Sequence, residues 1–299
     1  MDSLKDYKGI NGQPPRLRRV AAVNDLSGFG RCSLTVALPI LSAMGFQVCP
    51  VPTMLLSAHT GYPNPHIRDL TGELEAYLTH WNRLGLQFEA VYTGFLGAPR
   101  QAELLEPFLR QQIAAGAVCV VDPAMADHGQ LYATCTPELV QAMKRLVALA
   151  GVTTPNLTEA CLLTDTDYSV LTALPAADRS AAIARVGTQL RTMGCGTVVI
   201  TGVPAENGLV ENIVVDHSCP EGMSVASRRV DRNYAGTGDV FSAVLCGALL
   251  QGQTAQAAVR RAADFVYTAL VCTASLQSPE QDGVVFEPFL SALAKGESL

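Results

Sequence analysis

Asp239 closes the glycine-rich stretch Asn233-Tyr-Ala-Gly-Thr-Gly-Asp239, and the apolar run Val240-Phe-Ser-Ala-Val-Leu follows it at once. Phe241, Val244, Leu245, Ala248 and Leu249 recur at i, i+3, i+4, i+7 and i+8, which predicts a helix with one face in a core. The first turn of a helix leaves backbone N–H groups unpaired and carries partial positive charge, so this turn suits a phosphate. Gly236 and Gly238 keep the backbone open to a ligand and can take positive φ. Asp239 could complement the helix dipole and do nothing more. Beside a bound phosphate it could instead accept a proton from an attacking hydroxyl. The turn alone leaves both readings open.

Further polar residues punctuate apolar runs. Asp25 opens Asp25-Leu-Ser-Gly-Phe-Gly30, where it either touches a substrate or, like Ser27, caps the next helix. This loop is no dinucleotide fingerprint, because Ser33 stands where the third glycine belongs and no acid follows about twenty residues later. His59 and Thr60 lie in Ser57-Ala-His-Thr-Gly-Tyr62; a lone loop histidine is more often solvated than bound. Asp122 ends the run Ala117-Val-Cys-Val-Val-Asp122. Asn156 and Glu159 follow Val152-Thr-Thr-Pro and also make a plausible capping pair, and Thr201-Gly202 end a further run from Thr197. Magnesium needs only one or two carboxylates plus substrate phosphates, so sparse acids near a phosphate turn suit phosphoryl transfer. The Walker motif and the protein-kinase HRD and DFG motifs are absent.

The elements that must position these residues alternate. Arg19–Asn24, Gln47–Met54, Phe88–Thr93, Ala117–Asp122 and Thr197–Thr201 read as strands, several of them apolar throughout, as strands buried on both faces require. Helical patterns fall at Cys32–Met44, Gly72–Leu84, Pro99–Gln112 and Thr254–Thr273, with Trp81 expected to pack. Leu209–Val215 and Met223–Val230 read as an antiparallel hairpin near a sheet edge, and the chain beyond Ser275 is weakly specified. Such alternation predicts a mainly parallel, doubly wound sheet with its ligand crevice at the carboxyl ends of the strands.

Composition excludes several classes. With 48% hydrophobic and 16% charged residues, 299 residues can build a large core and need no second domain. A net charge of −6 and no basic cluster beyond Arg16–Arg19 speak against nucleic acid. No apolar run is long enough to span a membrane, and the polar N-terminus lacks a signal-peptide core. Nine cysteines scattered through mostly apolar segments, no two closer than 16 residues, read as reduced core thiols in a cytoplasm and not as a zinc site. The expected layout is a flexible tail over residues 1–18 and one domain over 19–299.

The run Ala235-Gly-Thr-Gly-Asp239 resembles the signature of the ribokinase-like superfamily. Asp122-Pro-Ala-Met and Thr154-Pro-Asn-Leu-Thr-Glu159 resemble the DPxM and TPNxxE motifs of its vitamin-kinase branch, and Ser57-Ala-His-Thr-Gly-Tyr62 resembles the SNHTGY-like segment of the pyridoxal/pyridoxamine kinases. The resemblance spans roughly residues 19 to 275. It implies a three-layer α/β sandwich and ATP-dependent phosphorylation of the 5′-hydroxymethyl group of pyridoxal, pyridoxine or pyridoxamine. Under it Asp239 is the base, and the N–H groups of Gly236, Thr237 and Gly238 form an anion hole. Asp122 and Glu159 act near Mg2+, in part through water. Thr154, Asn156, Thr201 and Gly202 line the ATP, while Asp25, His59, Thr60 and Phe95 surround the vitamin. A potassium ion near the phosphates and a homodimer are common in the family.

Three positions depart from the pattern: Asp25 stands where many pyridoxal kinases carry serine, Phe95 where many carry tyrosine, and Ala126 where glycine is frequent. Asp25-Leu-Ser-Gly-Phe-Gly30 also looks partly like the DPSGGAG loop of hydroxymethylpyrimidine (phosphate) kinases of thiamine synthesis, which makes such a kinase the first alternative. Those enzymes usually place cysteine at position 239, so Asp239 favours the vitamin B6 alcohol. A non-catalytic vitamin- or nucleotide-binding relative is the alternative from another class.

Overall fold

The computed structural model describes residues 18–297. The expected N-terminal tail therefore lies, apart from Arg18, outside the described residues. Arg18 itself is pinned: its Nε donates to Glu89 at 2.9 Å and its guanidinium stacks 4.5 Å from the Phe46 ring centre.

The first half of the chain runs β1 (Arg19–Ser27), α1 (Ser33–Ala43), β2 (Gln47–Leu56), β3 (Ile67–Asp69), α2 (Thr71–Arg83), β4 (Ala90–Thr93), α3 (Pro99–Ala114) and β5 (Val118–Val121). A small hairpin, β6 (Ala126–Asp127) and β7 (Gln130–Leu131), precedes α4 (Pro137–Val147), β8 (Val152–Thr153), α5 (Leu157–Thr164), α6 (Tyr168–Ala173) and α7 (Ala176–Thr192). Then come β9 (Thr197–Pro204), β10 (Leu209–Val215), β11 (Met223–Arg228), α8 (Thr237–Leu250), α9 (Ala255–Ser275) and α10 (Leu290–Lys295).

Nine strands form one sheet in the order β11-β10-β9-β8-β5-β4-β1-β2-β3. Pairing is parallel from β9 through β2 and antiparallel at both margins, where β10, β11 and β3 sit. The hairpin expected at the edge is therefore there, and the sheet is mixed only at its margins. Strand order reverses at β1, whose neighbours are β2 and β4, and this switch point opens a crevice at the carboxyl ends. Helices cover both faces. Val20, Ala22, Tyr92 and Val120 pack toward α1, α8 and α9, whereas Ala21, Val23, Val91, Cys119 and Val121 pack toward α3, α4, α5 and α7.

Two expectations change. α8 is buried all round, not on one face: every residue from Val240 to Ala248 is buried, Ser242 and Gly247 included. A Cβ on Gly247 would overlap the Met44 sulfur, so α1 closes on α8 where no side chain intervenes. Val240, Phe241, Val244 and Leu245 contribute about 1.5–3 kcal/mol each by burial, which fixes the glycine turn firmly. The chain beyond Ser275 is also better defined than its sequence suggests. Single 3-10 turns at Glu280–Asp282 and Glu287–Phe289 lead into α10, anchored by the buried Val284, Phe286 and Leu293.

Candidate active site

α8 begins at Thr237, after Gly236 in a left-handed conformation with φ 72°. A Cβ on Gly236 would overlap the Arg31 carbonyl oxygen, so only glycine lets this turn lie against the loop between β1 and α1. Asp239 sits in the first turn of α8 as the sequence predicts. Burial pushes its carboxyl up to about 7, with Asp122 and then Asp25 adding negative charge, while the Ser33 N–H and the Asn24 side chain oppose the shift. A carboxyl poised there can hold or release a proton near neutrality.

Asp122 lies immediately past β5, buried, and burial raises it to about 6. Glu159 is raised well above the usual carboxylate range by burial and then by Asp122. Both Glu159 oxygens accept backbone N–H bonds, Oε1 from Met125 at 3.0 Å and Oε2 from Asn156 at 2.8 Å. Asn156 completes a capping box at the start of α5, and its amide donates to the Ala126 carbonyl at 2.7 Å. The capping pair and the site reading thus share residues: Asn156 and Glu159 tie the 122–126 loop to α5. Thr154 meets the Ser242 hydroxyl of α8 at 2.9 Å. Thr201 bridges to Asn156, and Gly202 beside it takes φ 68°.

No group of three or more His, Cys, Asp or Glu that could hold a metal ion occurs among the described residues. Magnesium takes one or two carboxylates and completes its shell with waters and phosphates. Asp122, buried and raised for want of compensating charge, suits such a cation directly. Glu159, with both oxygens already accepting amides, suits it through water.

Asp25 lies within β1, which runs on to Ser27 instead of ending at Asn24. Its oxygens accept hydroxyls from Ser27 at 2.9 Å and Ser33 at 2.5 Å, and burial raises its pKa. Ser33 takes φ 53°, a left-handed conformation uncommon for a residue with a Cβ. That geometry lets one residue serve Asp25 with its hydroxyl and Asp239 with its N–H. Phe95 is half-buried against the core and gives its N–H to Asn24.

His59 stands on the rim. Its Nδ1 accepts from Gly61 N at 3.1 Å, which leaves Nε2–H to donate to the Gln281 carbonyl at 2.6 Å. Tyr62 donates to Asp282 at 2.5 Å and packs its ring near Phe29, which is 57% exposed. Thr60 is exposed between them. The segment 280–284 also bonds Arg31 and Ala235, so it straps three site loops together. Sequence reasoning missed this strap, Asn24, Ser33 and Ser242. Only Ser242, a hydroxyl inside an otherwise apolar run, left a readable signal.

A family model described as phosphomethylpyrimidine kinase matches residues 73–284. The pyridoxine/pyridoxal/pyridoxamine kinase of Bordetella bronchiseptica is 32% identical over 265 residues, 84% of this chain and 88% of that protein. A Bacteroides thetaiotaomicron protein, provisionally described as a phosphomethylpyrimidine kinase and crystallised with pyridoxal, superposes with a TM-score of 0.86 at 36% identity over 93% of this chain and 96% of its own. Pyridoxal kinase from Lactobacillus plantarum superposes at 0.85 with 31% identity, covering 94% and 98%. A mostly parallel sheet switched at β1, a glycine turn opening α8 and these likenesses converge: the chain has the ribokinase-like fold and belongs to the phosphomethylpyrimidine kinase family, on its pyridoxal kinase side.

Proposed function

We propose that the chain is a kinase that transfers the γ-phosphoryl group of ATP to the 5′-hydroxymethyl group of pyridoxal, pyridoxine or pyridoxamine. One observation carries the reading: a carboxyl raised to about 7 stands in the first turn of the helix whose glycine N-terminus suits a phosphate. The B6 kinases among its relatives, and the pyridoxal held by the Bacteroides thetaiotaomicron protein, support the acceptor.

Asp239 accepts the proton of the hydroxymethyl group as its oxygen bonds to the γ-phosphorus, while the bridging oxygen leaves with ADP. The N–H groups of Gly236, Thr237 and Gly238 hold the charge of the transferring group. Magnesium, when bound, neutralises the phosphates; Asp122 and, through water, Glu159 would hold it. Thr154, Asn156, Thr201 and Gly202 line the nucleotide, and Asp25, His59, Thr60 and Phe95 surround the ring. We read the chain as a cytoplasmic homodimer. The free thiols among the described residues are compatible with the first, and sedimentation tests the second. No described helix is long and apolar enough to cross a membrane.

The family model favours a second reading, phosphorylation of a hydroxymethylpyrimidine. An ADP-release assay with the three B6 compounds and hydroxymethylpyrimidine, with and without potassium, tests both. Turnover confined to the pyrimidine would sink the B6 reading, and no turnover on any acceptor would point to a binding protein.

A further inference from the structure

Asn24 is fully buried at a bulge in β1, where pairing to β2 shifts register between Asn24 and Leu26. Such bulges re-aim a side chain. Its Oδ1 accepts two backbone N–H groups, Phe95 at 2.8 Å and Asp25 at 3.0 Å. Those two donors fix which end of the amide is oxygen, so Nδ2 is the end that faces Asp239, 3.4 Å from Oδ1. Gly94 completes the socket: any Cβ there would overlap the Asn24 amide. Three segments thus meet on one side chain: β1 through the Asp25 backbone, the loop after β4 and the first turn of α8.

We propose that Asn24 is a positioning residue for the transfer step. It holds the Asp239 carboxylate by donating to one oxygen, which leaves the other aimed at the acceptor hydroxyl. This rests on Asp239 being the base. The tether links the strand that carries Asp25 to the helix that carries the phosphate turn, so vitamin and phosphate loops share one anchor at the proton acceptor. A core asparagine of purely structural value would need its two accepted bonds only; the donor end gives the role its own signature.

The variant Asn24→Asp separates these. It keeps the shape and the two accepted backbone bonds but turns the donor facing Asp239 into a like-charged acceptor. At a pH where both carboxylates are ionised, N24D is expected to lower kcat by about 30-fold or more, with KM for vitamin and ATP within about threefold of the parent. The reciprocal pair N24D/D239N restores one donor and one acceptor with the polarity reversed. N24D should therefore cost about 4 °C or more in Tm alone and much less in the D239N background. Turnover of N24D within about threefold of the parent, or Tm losses that simply add, would overturn the proposal. Should N24D alone not fold, a folded N24D/D239N protein supports the tether and an unfolded one overturns it. The Tm cycle needs no substrate, so it still decides the contact if the parent phosphorylates none of the compounds offered.

Discussion

At the residue scale Asp239 carries the proposed chemistry. Replacing it by Asn removes the proton acceptor but keeps shape and the Asn24 neighbour, so turnover should fall by about 10² or more while ATP affinity stays near the parent value. Near-native turnover in a coupled ADP assay would remove Asp239 from the role. Because the base works only when ionised and its pKa is raised to about 7, kcat/KM should fall as pH drops below about 7, roughly tenfold per unit. A profile corrected for ionisation of the vitamin itself should show that limb. Asp25 carries a different expectation. Its oxygens hold the Ser27 and Ser33 hydroxyls, so Asp25→Ser frees two donors, and if Asp25 faces the ring as proposed the ratio of kcat/KM among B6 compounds and pyrimidine should change by about tenfold. An unchanged ratio leaves Asp25 as scaffold. Asp122 was legible because it ends an apolar run at the crevice, and Asp239 because a glycine-rich turn leads into it and an apolar helix follows it. Asn24 was not, since its partners lie 71 and 215 residues away and meet it only through a bulge.

At the element scale, what the sequence concealed is the strap. Residues 276–289 show neither helical nor strand period, because their order comes from 3-10 turns and from tertiary anchors such as Val284 and Phe286, which no local pattern encodes. Yet the strap holds the rim: Gln281 takes the His59 proton donor and Asp282 takes the Tyr62 hydroxyl. Asp282→Ala should therefore loosen the 57–62 segment and raise the vitamin KM about 3- to 10-fold, with kcat and Tm little changed. A KM equal to the parent's would separate the strap from substrate binding. The α8 turn, by contrast, was readable from glycine spacing alone, and its strictest position is Gly236. With φ 72° and the Arg31 carbonyl in the way, Gly236→Ala must push the turn off the β1–α1 loop. Loss of turnover together with several degrees of Tm is the expected result.

At the scale of the whole molecule, the alternation of strands and helices was legible, and with it the crevice. The strand order was not, because local periodicity says nothing of which strand lies beside which. The order matters because it places β1, β4 and β5 side by side and so gathers Asp25, Asp122 and Asp239 in one low-dielectric place. That concentration has a cost in stability which the ligands are suited to relieve. Asp122 is raised to about 6 and Asp239 to about 7 from an ordinary 3.8, so the folded protein binds protons that the unfolded chain has released. A raised carboxyl contributes stability that is full below its unfolded pKa and lost as pH rises through the folded one. Asp167 and Asp216, lowered by their serine partners, act in the opposite sense at lower pH, so the useful quantity is a difference between proteins. Between about pH 8 and pH 6 the ligand-free parent should gain more Tm, or lose less, than Asp239→Asn, which has no carboxyl to protonate at that position. Parallel Tm curves for the two would mean that Asp239 is solvated in the native state, and with that its poise as a base at neutral pH would be lost as well.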